Sequence, residues 1–431
     1  MRPVKPLIVT HVGMYSNRGG AAAAMMRVHG AVKIAGEKHQ VTSRVRAAVP
    51  GPFSVDVSSG LPPGRQPLES LKKVDRKFRK FAARRISKST HSVVSIPPFF
   101  ATGLGRELNA DGSDIINLHW LGSGTLSLRE IQNIRKPIVW RLADLWAAGS
   151  VEHYPARNFV HDEYRRSSSG DSEFARLALR HHWIQKKRRL NFPFVAVCPS
   201  SWTMEMAQES AVFSRASCVI IPNPLDTEFW RPSVSSAFEN SAAPDESSRP
   251  LRLLFGAVGG LEDPRKGWGL LRDALAHLKV SRPDILIHLE IFGQTGVFER
   301  SGSQSTTYLG TLSEEGMRKA YRHADVFVAT PLAESFGQTV TEAQACGTPV
   351  IGTAAGGLKD TIMPGKTGHL VGARDYFELA ARLAETFDFP RQTMEMGVNA
   401  RERAERLWSM QTVGDQYVEL YRRVFFSTTV L

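Results

Sequence analysis

The sequence predicts an α/β fold: two doubly wound, Rossmann-like domains facing each other across a cleft. Three observations carry this expectation. The chain has 431 residues, well beyond the ~150 that share one core. Short apolar, β-branched runs alternate with longer helical patterns, the rhythm of parallel sheets covered by helices on both faces. Residues 231–250 are rich in Ser, Pro and Ala without apolar periodicity, which reads as a linker or long loop. The expected division is therefore a first domain over 1–226, a linker over 227–250 and a second domain from 251.

The elements follow in order. Pro6–His11 is a short apolar strand, Ser16–Gly20 a loop, and Ala21–Ala35 a helix opened by four alanines, the best helix formers. Asp114–His119, Pro137–Leu142 and Phe194–Val197 are later buried strands of the first domain. In the second, Leu251–Ala257, Leu286–Phe292, Val326–Ala329 and Pro349–Gly352 have the same character. Open α/β sheets bind ligands beyond the carboxyl ends of their strands, so the cleft and the loops after these runs are where function is expected.

Composition excludes several classes. With 42% hydrophobic and 23% charged residues, the chain is an ordinary globular protein, neither disordered nor collagenous. It lacks a run of about 18 apolar residues for a transmembrane helix, and the apolar stretch within Met1–Thr10 is too short for a signal peptide. Cys198, Cys218 and Cys346 are too widely spaced for a disulfide framework or a cysteine zinc site. A cytoplasmic setting is expected. The net charge of +13 is uneven: residues 1–230 hold 33 Lys and Arg against 18 Asp and Glu, the rest 22 against 24. A basic half points to an anionic partner or to a solvated surface.

Leu71–Lys88 concentrates this charge, with nine Lys or Arg and one Asp. Leu71, Val74, Phe78, Phe81 and Ile86 recur at roughly helical spacing, giving a basic amphipathic helix. Either it lies on an anionic membrane, or it packs its apolar stripe on the first domain and leaves a basic face in water. Lys186–Arg189 forms a second basic patch. Neither belongs to a recognisable nucleic-acid-binding module, and no nucleic-acid partner is expected.

Three motifs carry chemistry. Ser16–Gly20, between strand and helix, lets a backbone approach a ligand and offers a helix N-terminus to an anion; it also reads as a plain tight turn. Glu262-Asp263-Pro264-Arg265-Lys266-Gly267 sets two cations where a helix begins, which suits a diphosphate or an exposed basic turn. Thr330–Ile351 is the most informative. A loop with Glu334 and Gly337 leads into a helix from about Gln338 to Gly347, where glycine suits the C-cap. Glu334 lies at the loop mouth, and Glu342 one turn into the helix. Carboxylates accept paired hydrogen bonds from vicinal sugar hydroxyls, and the N–H groups near Phe336–Gln338 suit phosphate.

The Thr330–Ile351 stretch closely resembles the E-x7-E motif of retaining glycosyltransferases of the GT-B fold, in particular family 4. Ala324–Val328 before it and Gly356-Gly357 after it are similar to that family, as are Gly365–Val371, Arg265-Lys266-Gly267, Ile221–Asp226 and Gly19–Ala22. Asn117–Trp120 and Trp140–Trp146 resemble the subgroup that builds bacterial surface polysaccharides. The resemblance implies that Arg265 and Lys266 bind the donor diphosphate, Glu334 the hydroxyls of the transferred sugar and Glu342 the ribose. It sets Ser335, Phe336 and Gly337 along the phosphates, Gly19 and Gly20 over them, and Gly293 and Gln294 near the nucleotide. A last helix, about 410–431, would cross back from the second domain, 251–409, to the first. No metal and no cofactor are implied, a cationic pair and helix N-termini serving the departing diphosphate. Retention would come from same-face attack, a donor phosphate oxygen taking the acceptor proton. The implied partners are a nucleoside-diphosphate hexose-type sugar and a glycan or polyprenyl-linked acceptor; if Leu71–Lys88 takes the first of its two readings, the protein sits peripherally on the inner face of the membrane.

One departure stands out. Where the subgroup reads T-L-H-D-[ML]-W, this chain reads Arg141-Leu142-Ala143-Asp144-Leu145-Trp146, so Ala143 replaces a histidine expected near the transferred sugar. The cysteines that often follow are absent around Glu152-His153-Tyr154. His119 or His153 substitutes, Asp144 suffices, or the protein is a weakened enzyme or a sugar-nucleotide-binding partner without turnover.

Overall fold

The apolar runs become strands wherever they are flanked by turn-forming residues. In the computed structural model, residues 6–16, 19–49, 57–59, 66–90, 93–122, 124–154, 172–233, 249–256, 260–297 and 299–429 are described. They divide into two units, Met1–Pro224 with Met410–Leu431, and Leu225–Ser409.

The first unit is built on seven strands: β1 Leu7–Tyr15, β2 Val41–Val49, β3 Val57–Ser59, β4 Ile115–Leu118, β5 Ile138–Arg141, β6 Phe194–Cys198 and β7 Ala216–Ile220. Their order is β3-β2-β1-β4-β5-β6-β7, and each neighbouring pair is parallel. Because strand side chains alternate between faces, the sheet feeds two cores. Ile116, Leu118, Trp140 and Phe194 join one. Val9, Ile115, Val139 and Val197 join the other, with Val28 and Val32 of the Gly20–His39 helix and Val413, Tyr417 and Tyr421 of the Met410–Thr429 helix. The last helix thus covers a face of the first unit's sheet, and the Tyr421 hydroxyl accepts a hydrogen bond from Asn117 at 2.5 Å.

The second unit repeats the plan with β8 Leu251–Gly256, β9 Ile287–Phe292, β10 Glu299–Ser301, β11 Gln304–Gly310, β12 Val326–Ala329, β13 Val350–Thr353 and β14 Gly368–Val371. The order is β10-β11-β9-β8-β12-β13-β14. All pairs are parallel except β10–β11. The helices Trp268–Ser281 and Tyr376–Asp388 pack one core. Glu314–His323, Gln338–Ala345 and Pro390–Trp408 contribute to the other.

The linker expected over 227–250 is corrected in part. Trp230 is buried in the second unit's core, its ring edge-on to Tyr321 at 5.9 Å. Burial of so large an aromatic fixes 227–233 to this unit; residues 234–248 lie outside the described residues. Lys186, expected in a basic surface patch, is fully buried, its ammonium over the Trp146 ring at 3.7 Å. Among the described residues no helix is long and apolar enough to cross a membrane.

Candidate functional site

In the second unit, β9, β8, β12 and β13 are parallel neighbours, so the segments after them reach one edge of the sheet. These are Gly293-Gln294, Gly260–Gly267, Thr330–Gly337 and Ala354–Gly357. The strand order reverses beside β8, with β9 on one side and β12 on the other. Such switch points open a crevice for ligands.

After β8 the chain makes a 3-10 turn, Pro264–Lys266. Asp263 organises it: its carboxylate accepts the Arg265 backbone N–H and pairs with the Arg265 guanidinium, each at 3.0 Å. Gly267 ends the turn at φ 73° and starts the Trp268–Ser281 helix. Two contacts clamp this turn on the loop after β12. Leu332 N–H donates to the Arg265 carbonyl, and the Thr330 hydroxyl to the Gly267 carbonyl, both at 2.9 Å. Lys266 is partly buried, and desolvation holds its pKa below the usual lysine value, with the Glu334 charge acting the other way. An under-solvated ammonium of this kind gains most from an arriving anion.

The Glu334 carbonyl accepts the Gly357 N–H at 2.8 Å, and its carboxylate accepts the Ser335 N–H at 3.0 Å. Ser335 and Phe336 are buried, Phe336 edge-on to Trp408 at 6.2 Å. Gly337, at φ 89°, caps the Gln338–Ala345 helix. That helix has no capping side chain and no acidic residue in its first turn, so its first N–H groups retain their partial positive charge. The two glutamates differ in surroundings: Glu334 is partly exposed on the loop, whereas Glu342 is buried and accepts the Tyr321 hydroxyl at 3.2 Å. Gly293 N–H donates to the Gly310 carbonyl at 2.6 Å, and Gln294 returns the bond by accepting from Gly310 N–H at 3.1 Å.

In the first unit, Gly19, at φ 82°, caps the Gly20–His39 helix without a side-chain bond; Asn17 and Arg18 lie outside the described residues. His119 is not at an open edge. It is fully buried, its Nε2 2.9 Å from His11 Nδ1, and burial beside a second imidazole pushes its pKa well down. Asp144 pairs instead with His153 Nδ1 at 2.5 Å, and its other oxygen accepts the Trp146 N–H at 2.9 Å. His153 Nε2 is 2.8 Å from the Ser95 hydroxyl. Arg141 is buried with both Nε and Nη2 on the Asn223 amide oxygen, at 3.1 and 2.5 Å. Asp263 and Thr330 emerge as positioning residues only in the structure, although Asp-Pro before the basic pair is a helix-start signal. No spacing rule shows the Asp144–His153 pair.

An edge with two cations, an uncapped helix N-terminus and a half-exposed carboxylate has the chemistry that suits a phosphorylated ligand. The comparisons make it particular. Residues 252–388 match the family described as "Glycosyl transferases group 1". A D-inositol 3-phosphate glycosyltransferase from Corynebacterium urealyticum is 32% identical over 326 residues, covering 72% of this chain and 71% of that protein. The chain belongs to the glycosyltransferase group 1 family. A second D-inositol 3-phosphate glycosyltransferase, from Pseudarthrobacter chlorophenolicus, is 33% identical over 44% of this chain and 47% of that protein. An MMP alpha-(1->4)-mannosyltransferase from Mycolicibacterium hassiacum is 28% identical over 56% of each. The chain thus spans about half the length of these first curated relatives. Among solved structures, sucrose-phosphate synthase from Thermosynechococcus elongatus superposes with a TM-score of 0.65 at 19% identity, covering 98% of this chain and 100% of that one. Anabaena HepE with UDP-glucose gives 0.58 at 16%, covering 99% and 100%. At such identities the likeness shows the shared GT-B fold alone.

Proposed function

We propose that the protein transfers a sugar from a nucleoside-diphosphate sugar to a hydroxyl of a glycan or polyol acceptor, with retention of configuration. The observation that supports this best is the Arg265–Lys266 turn clamped beside the Glu334 loop at the switch point of the second unit. Arg265, Lys266 and the start of the Gln338–Ala345 helix would hold the diphosphate. As the glycosidic bond breaks, negative charge grows on the departing phosphate, and prearranged cations and N–H dipoles stabilise that state without rearranging. Glu334 would accept hydrogen bonds from the transferred sugar, and Glu342 from the ribose. In this proposal the cationic pair carries the work and no metal is required. Ser335, Phe336 and Gly337 line the phosphates, with Gly293 and Gln294 beside the nucleotide.

The acceptor has two sources of support. Relatives are named for D-inositol 3-phosphate and for phosphatidylinositol monomannoside with GDP-mannose. The sequence resemblance points to a lipid-linked glycan of surface-polysaccharide synthesis on the cytoplasmic side of the membrane. Both are polyol hydroxyls near a phosphate, which suits a basic first half. The test is release of nucleoside diphosphate from UDP-, GDP-, ADP- and TDP-sugars, with inositol phosphates and lipid-linked glycans as acceptors. Acceptor-dependent release that vanishes in Lys266→Ala supports the proposal; release equal in both proteins rejects it.

Ala143 favours a second reading, a sugar-nucleotide-binding partner without turnover. Donor binding that depends on Lys266, with no release for any acceptor, would select it.

A further inference from the structure

The Gln66–Thr90 helix turns one ion pair inward and leaves its aromatic rings exposed. Asp75 and Arg79 are buried, paired at 3.0 Å, and Arg79 Nη1 donates to the Ile96 carbonyl at 3.1 Å. Ala82 and Ile86 continue that inner face into a small core with Ile96, Val151 and Leu179. One flank of the helix, adjoining that inner face, carries Leu71, Val74, Phe78 and Phe81, exposed by 49, 65, 55 and 56%. Their spacing of three and four residues places them in one row along the helix.

The patch continues beyond the helix. Phe99, 53% exposed, meets the Phe78 ring at 6.3 Å. The Arg85 guanidinium lies 5.9 Å from the Phe81 ring centre and 5.3 Å from that of Phe174, on the Glu173–Arg189 helix. Exposed apolar surface of this extent marks an interaction site. Lys73, Lys77, Lys80 and Arg84 lie exposed in a second row beside the apolar one, and Asp75, the one acid between Leu71 and Lys88, is turned inside. The outward face is therefore apolar and cationic together.

We propose that this face docks on an anionic lipid bilayer, its rings and aliphatic side chains entering the headgroup–acyl boundary while its lysines meet lipid phosphates. Charge complementarity selects this occupant. A second copy would oppose cation to cation, and nucleic acid would leave Leu71 and Val74 unused. An interfacial helix requires an apolar row rimmed by cations that reach anionic headgroups, and here the inner Asp75–Arg79 pair fixes the helix with that row outward. The proposal is independent of the donor site.

The test is co-sedimentation of the full chain with vesicles of phosphatidylcholine alone and of phosphatidylcholine with phosphatidylglycerol, at low and high salt. The wild type is expected to sediment only with the anionic vesicles. Replacing Lys73, Lys77 and Lys80 by Gln should weaken binding by about fivefold per lysine and flatten its salt dependence. The double variant Phe78→Asp with Phe81→Asp should lose binding at either salt. All these positions are exposed, so far-UV circular dichroism and melting should match the wild type. Folded wild type that stays in the supernatant at low salt overturns the proposal. So does equal sedimentation of wild type and both variants, or an aspartate variant that splits a dimer yet binds vesicles normally.

Discussion

Gly267→Ala isolates the clamp that sets the cationic turn. A Cβ at this glycine would lie 2.7 Å from the Thr330 carbonyl carbon and closer still to its oxygen. The turn and the loop must then separate by about 1 Å or more to reach ordinary van der Waals distance. That motion removes the hydrogen bonds from Leu332 to Arg265 and from Thr330 to Gly267, about 1 kcal/mol each. Holding alanine at φ 73° adds roughly 1–2 kcal/mol. The sum is about 3–4 kcal/mol. In a unit of this size 1 kcal/mol moves Tm by about 2–4 °C, so melting of the second unit should fall by roughly 6–16 °C. A 1 Å displacement can cost about 100-fold in turnover, so loss of donor binding should exceed what the melting shift alone explains at low temperature. Calorimetric melting and nucleotide titration read both effects. A variant that melts and binds nucleotide like the wild type would refute the clamp.

Glu334→Ala should leave the melting curve in place and lower kcat by about 100-fold or more, the scale of one lost transition-state contact, as read by nucleoside-diphosphate release. Lys266→Met should behave in opposite ways toward folding and function. Because burial lowers the folded-state pKa of Lys266, the unfolded chain binds more protons between the folded and unfolded pKa values. Wild-type stability therefore rises with pH across that window. The variant should lose that rise, melt no lower than the wild type at neutral pH, and lose donor binding. Glu130→Ala should lower the stability of the first unit by roughly 2–4 kcal/mol, measured by urea unfolding. Its carboxylate accepts the N–H groups of Thr102, Gly103 and Ser127 at 2.8–3.0 Å.

The legible parts of the sequence were those where local chemistry decides. Val326–Ala329 is a strand, as its sequence predicts, because four apolar residues between a helix end and a Thr-Pro turn have one stable place, a buried parallel sheet. The Gln338 helix start was legible because Gly337 stands where the backbone becomes left-handed. Half-exposed strands were not. The strand β11 has no fully buried residue in its run Gln304–Gly310, so apolar periodicity gives it no signal. Long-range polar pairing was not legible either. Asp144 finds His153 nine residues on, and Arg141 finds Asn223 from a motif 82 positions away. The Leu71–Ile86 stripe shows how orientation escapes periodicity: spacing groups its five residues, but only the structure shows that Leu71, Val74, Phe78 and Phe81 are exposed while Ile86 is buried.

The most direct test of the donor site is thermal melting of wild type and Lys266→Ala with UDP, GDP, ADP and TDP, each with and without EDTA. A ligand at about 100 times its Kd adds roughly 2.7 kcal/mol to the folded state, a rise of about 5–11 °C for a unit of this size. The expected result is such a rise with one base, unchanged by EDTA and lost in the variant. A rise of equal size in the variant, or one that EDTA removes, would contradict a metal-free diphosphate site at Arg265 and Lys266.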